Sequence, residues 1–170
     1  LLLFALVACA RAPRARTRPS VAPASARIAT LIPAPVRAQA IAADSFIVTD
    51  STPLALAADA PEGSERVARS LASLLASPQV NRRVVRLAPG EAIPAGAIVL
   101  RGSTDGRGGE SYLLHADRNG VTLASATAAG LFNAVQTLRQ LLPLAVENRA
   151  AVKRVLVVPG VDVRDQPRYA

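Results

Sequence analysis

Residues 111–143, SYLLHADRNGVTLASATAAGLFNAVQTLRQLLP, constrain the fold more than any other stretch. Two strand-like runs flank Asn119-Gly120, a pair that can supply the positive φ angles of a tight hairpin turn. The chain then changes period. Leu131, Val135, Leu138 and Leu142 recur at helical spacing and Pro143 ends the run, so an amphipathic helix should follow the hairpin at once. Phe132 is expected in the core with them.

The rest of the chain from residue 27 alternates in the same manner. RIATLIP, SFIVTD, RRVVRL and AIVLR read as strands, with Phe46 and Val48 on one face of the second. VKRVLVVP and VDVRD read as a final pair. Residues 61–78, PEGSERVARSLASLLASP, read as a helix. Pro61 and Ser64 stand at its start, Val67, Leu71, Leu74 and Leu75 share one side, and Pro78 stops it. Glu62 and Glu65 suit its amino end through the helix dipole. Many strands and few helices make this an α+β chain, a mixed β-sheet with two helices packed on one face. Its 170 residues fit one domain able to bury a core. With 51% hydrophobic but only 3% aromatic residues, that core must be built from Ala, Val, Leu and Ile.

The formal charge of +8 raises the question of a nucleic-acid partner. Residues 1–40 hold six Arg and no acid, whereas residues 41–170 hold 14 basic and 12 acidic groups, a balance of +2. The sequence shows neither clustered cations nor interleaved aromatics, so no nucleic-acid partner is expected.

Residues 1–10, LLLFALVACA, are an apolar run followed by small residues, the pattern of a bacterial export signal without its charged start. The run is shorter than the roughly 20 apolar residues a spanning helix needs. LVAC matches a lipobox, which makes Cys9 the expected lipidation site and mature first residue, with cleavage after Ala10 as the competing reading. Residues 11–26, RAPRARTRPSVAPASA, lack apolar periodicity and read as a disordered basic linker, whose Arg suit a surface of anionic lipid. Either signal implies export, to the periplasm or as an outer-membrane lipoprotein. Because Leu1 is not Met and the chain contains no Met, the sequence is expected to be part of a longer protein.

A search for chemistry returns little. Glycoside hydrolysis usually needs two neighbouring carboxylates, and the 12 acids include no adjacent pair. The nearest spacings, Glu62 with Glu65 and Asp162 with Asp165, fit helix-start and strand-end charges. His115, the sole His, lies two residues from Asp117, but no Ser stands in a nucleophile-elbow context. One His and one Cys cannot make a metal cluster, so no cofactor or metal is expected. The glycine-rich RGSTDGRGGE, residues 101–110, lacks the spacing of a phosphate or dinucleotide loop and reads as a surface loop. Tyr112, Tyr169, Phe46 and Phe132 are the only aromatics outside the leader that could offer a sugar platform. No catalytic residue is therefore expected in this chain.

Three stretches together resemble the amino-terminal, non-catalytic domain of family 20 β-N-acetylhexosaminidases, the chitobiase-like enzymes. LIPAPVRAQAIAADSFIVTDST is similar to the family's opening Ile-Pro-x-Pro and Phe-containing strand. YLLHADRNGVTLASATAAGLFNAVQTLRQLLP resembles its hairpin and the helix ending in Gln-Thr-Leu-Arg-Gln-Leu, and VPGVDVRDQPRYA its entry to the catalytic barrel. The resemblance implies an α+β domain over 27–163, related in topology to zinc proteases but without His-Glu-x-x-His, and the start of a TIM-type barrel over 164–170. It places Trp-Arg-Gly just beyond, with a sugar-binding Arg that is not Arg168, and an Asp-Glu pair later still. There the substrate's 2-acetamido oxygen attacks the anomeric carbon, the Asp orients that group and the Glu protonates the leaving oxygen. The implied partners are an amino-sugar oligosaccharide held by the barrel and the barrel itself, packed against this domain. The alternative is a free-standing lipoprotein module that binds glycans or a partner on its sheet.

Overall fold

The computed structural model describes residues 23–78, 80–104, 109–147 and 156–167. They form α1 (Ala24–Ile28), β1 (Arg37–Val48), β2 (Leu54–Leu56), α2 (Ser64–Leu75), β3 (Val84–Arg86), β4 (Ile98–Gly102), β5 (Tyr112–Asp117), β6 (Gly120–Ser125), α3 (Ala128–Leu141), a 3-10 turn at Leu144–Glu147, and β7 (Leu156–Asp165). Cys9 and the apolar leader lie outside the described residues.

The strands make one mixed sheet in the order β1-β7-β5-β6-β4-β2-β3. Pairing is antiparallel from β1 to β6 and parallel from β6 through β4 and β2 to β3. Side chains alternate across the pleat, so one face carries Leu114, Leu123 and Leu100, which stand side by side on β5, β6 and β4 and are fully buried. Each contributes about 1.5–3 kcal/mol by leaving water. Above them lie α3, which contacts β5, β6 and β7, and α2, which contacts β2 and β3. The two long helices thus cover one side of an α+β sheet, as expected.

Hairpin β5-β6 turns differently from the sequence expectation. Asp117 pairs with Gly120, so the two turn residues are Arg118 and Asn119, and Ala43 is the only non-glycine residue at positive φ among those described. The turn is held instead by the Asp117 carboxylate, which accepts hydrogen bonds from the Asn119 N–H at 2.8 Å, its Nδ2 at 2.9 Å and the Gly120 N–H at 3.2 Å. Gly120 is required for a separate reason: a Cβ there would lie 2.6 Å from the Ala97 carbonyl oxygen of the neighbouring segment.

Three further expectations need correction. The chain is helical at 24–28, inside the stretch read as linker and the start of RIATLIP, and residues 29–33 turn rather than extend. Arg27 Nη1 donates to the Leu142 and Leu141 carbonyls at 3.0 and 3.3 Å, capping the end of α3. Gln140 holds Ile32 through both its N–H and its C=O, at 2.9 Å each, which takes the groups a strand would have used. The final strand pair is one strand, β7, running through Pro159 and Gly160. Pro159 sits where the β1 register shifts between Ala40 and Ser45, so its missing N–H falls at an irregularity of the ladder. Phe132 is not core but 48% exposed, because one residue past Leu131 is a rotation of about 100° off the buried stripe.

Candidate functional site

His115 stands on the uncovered face of the sheet, beside Asp162 of β7 and two residues from Asp117 on its own strand. Its Nδ1 is 3.7 Å from Asp162 Oδ2 and its Nε2 3.9 Å from Asp117 Oδ2, both beyond hydrogen-bond reach. Asp117 is engaged in the hairpin turn, and the Asn119 backbone N–H, followed by its side-chain amide, holds its carboxyl below the usual range. The imidazole, half exposed, is therefore flanked by two acids without being oriented by either.

The carboxylate pairs noted in the sequence are separated by the fold. Asp162 pairs with His115 on the open face, whereas Asp165 pairs with Tyr112 and accepts the Val36 N–H at 3.1 Å. Glu65 leaves its helix start to pair with Arg86 of β3. Around the glycine-rich loop, burial opposes ionisation of Asp59. The Gly102 N–H and the Arg101 guanidinium outweigh that and keep its carboxyl low, tying the end of β4 to the segment after β2. Residues 105–108 of that loop lie outside the described residues, as does Tyr169. Among the described residues no group of three His, Cys, Asp or Glu is placed to hold a metal.

A cavity of about 310 Å³ opens where β5 begins and β7 ends, bounded by Val36, Ser125, Tyr112 and Asp165. Tyr112 does not present its hydroxyl there as an acid. Burial pushes its ionisation up to about 12, and the hydroxyl shares a 2.6 Å hydrogen bond with Thr137 Oγ1 of α3. Three polar residues in the Gln-Thr-Leu-Arg-Gln-Leu run of α3, Thr137, Arg139 and Gln140, each have a partner. Thr137 meets Tyr112, Arg139 forms a two-pronged pair with Glu147 at 2.7 and 2.9 Å, and Gln140 clamps Ile32 ahead of Pro33. The most recognisable residues of the sequence tie α3 to the sheet and to the segment that leads into β1.

Residues 29–166 match the model of glycosyl hydrolase family 20, domain 2. The chain belongs to that family. The β-N-acetylhexosaminidase of Streptomyces coelicolor superposes with a TM-score of 0.68 at 37% identity, covering 81% of this chain and 26% of that one. The Streptomyces plicatus N-acetyl-β-hexosaminidase gives 0.67 at 36% identity over the same shares. A β-hexosaminidase of Porphyromonas gingivalis is 42% identical over 60 residues, 35% of this chain and 8% of its own length. The domain 2 fold therefore spans about a quarter of the Streptomyces enzymes it matches. Of its strands, sequence reasoning missed β2, whose Leu54, Ala55 and Leu56 are all buried. A short apolar run flanked by turns was its only signal.

Proposed function

We propose that this chain is the structural, non-catalytic front domain of an exported β-N-acetylhexosaminidase that removes terminal N-acetylhexosamine by substrate-assisted retaining catalysis. The family 20 domain match over residues 29–166, joined to coverage of only a quarter of the related enzymes, carries the reading. The Asp and Glu of that chemistry belong to a barrel beyond residue 170, and the domain contributes a rigid shoulder against which the barrel packs. The dispersal of the acids supports this: Asp117, Asp59 and Glu65 each hold a turn or a strand, and Asp162 and Asp165 belong to different surroundings. Export, through the Cys9 lipobox or cleavage after Ala10, is part of the same proposal.

The coding sequence downstream of Ala170 tests it. Trp-Arg-Gly followed by an adjacent Asp-Glu pair is expected, and substituting that Asp and Glu in the intact protein should abolish release of N-acetylglucosamine while leaving this domain folded. A stop codon directly after Ala170 would overturn the reading in favour of a free-standing module. Mass measurement of the mature amino terminus tests the lipid on Cys9.

A further inference from the structure

Residues 63–90 carry five Arg against one Glu, a bias hidden in the near-balanced charge of the whole body. The fold gathers four of them, Arg69, Arg82, Arg83 and Arg86, around a groove of about 730 Å³ between α2 and β3. Among the described strands β3 pairs only with β2, so the groove lies at that edge of the sheet. The arginines are not equivalent. Arg82 donates to the carbonyls of Leu75, Thr52 and Thr49 at 3.0, 3.0 and 2.7 Å and so fixes one wall. Arg86 pairs with Glu65 on the facing helix. Among the described residues Arg69 and Arg83 have no ion-pair partner, and both are exposed at the groove.

We propose that this groove binds a sulfated or phosphorylated oligosaccharide. Guanidinium groups present paired N–H donors that match the oxygens of a tetrahedral ester, and two of them without an acidic partner leave the groove with surplus positive charge. Ser73 and Asn81 line the same space and offer the neutral hydroxyl and amide groups that hydrogen-bond sugar hydroxyls. The lining contains no aromatic side chain, which removes the stacking that single-stranded nucleic acid uses. The site is concave rather than a flat basic face, which favours a chain of sugars over a membrane surface. The proposal does not depend on how the hydrolytic reaction is assigned.

The test is titration of the 170-residue chain with a heparin-derived sulfated hexasaccharide, with its desulfated form and with a phosphorylated oligosaccharide. Binding of at least one charged sugar is expected, the stronger of the two identifying the ester, and none of the desulfated form. R69A/R83A should weaken it at least about tenfold, while an unchanged circular dichroism spectrum shows the fold intact. A second variant removes the four tether arginines, Arg11, Arg14, Arg16 and Arg18, and should retain binding. The proposal is overturned if neither charged sugar binds, if R69A/R83A binds as the parent does, or if the tether variant alone loses binding. Equal affinity for single-stranded DNA of the same charge, or for anionic vesicles, also overturns it.

Discussion

At the scale of single residues, polar side chains in this domain are used to join elements, and two of them give readable titrations. Tyr112 is buried with its hydroxyl on Thr137, and burial raises its ionisation to about 12. An acid whose folded value is raised contributes stability at lower pH and loses it as pH climbs from the unfolded value near 10 through the folded one. Ultraviolet titration should therefore show one late-ionising tyrosine, with stability falling over that window. Y112F should remove the late step and cost about 1–2 kcal/mol in urea denaturation, because Thr137 Oγ1 is left without its partner. Asp117 has the opposite sign. The Asn119 N–H holds its carboxyl low, so its contribution is complete above about 4, the ordinary carboxylate value, and fades as pH falls through the lower folded value. D117A should be destabilised by about 1 kcal/mol at neutral pH and converge on the parent in strong acid.

At the scale of elements, α3 depends on its first turn. Thr127 is the N-cap: its side chain accepts the Gly130 N–H at 3.1 Å and donates to the Gly109 carbonyl, so it also holds the segment that leads into β5. T127A should cost about 1–2 kcal/mol by urea denaturation, and T127S should recover most of that. α3 and the hairpin are legible in the sequence because both have a clear period and a break signal of their own, Pro143 for the helix and Asn119-Gly120 for the hairpin, although the turn itself falls on Arg118-Asn119. β1 is legible only in its second half, where SFIVTD puts Phe46 and Val48 on one face. Its first half, Arg37–Ala43, is mostly alanine with Ile41 as its one large apolar residue, a weak strand signal, and Arg37–Ala40 extend in pairing with Arg164–Val161 of β7. β7 itself was read as two strands because Pro159-Gly160 is an ordinary break signal, and only its neighbour's irregularity makes the proline tolerable. Local pattern finds elements that signal for themselves, not those imposed by a partner.

At the scale of the whole molecule, the charge distribution shows the same limit. The sequence gives a body of nearly balanced charge, yet the return of the chain after α2 to the sheet edge sets Arg82, Arg83 and Arg86 opposite Arg69. No count of residues along the chain would show that juxtaposition. The acids look scattered in the sequence, and among the described residues several have a basic partner: Asp44 faces Arg118, Asp59 faces Arg101, Glu147 faces Arg139. The proposed role, a shoulder for a neighbouring barrel, draws on this use of the described carboxylates to hold turns and strand ends. The measurement that tests this account most directly is turnover of 4-nitrophenyl N-acetyl-β-glucosaminide by the purified 170-residue chain. Release indistinguishable from the buffer blank is predicted, with the protein folded by circular dichroism. Steady turnover by the chain alone, persisting when His115, Asp162 and Asp165 are replaced by alanine, would contradict it.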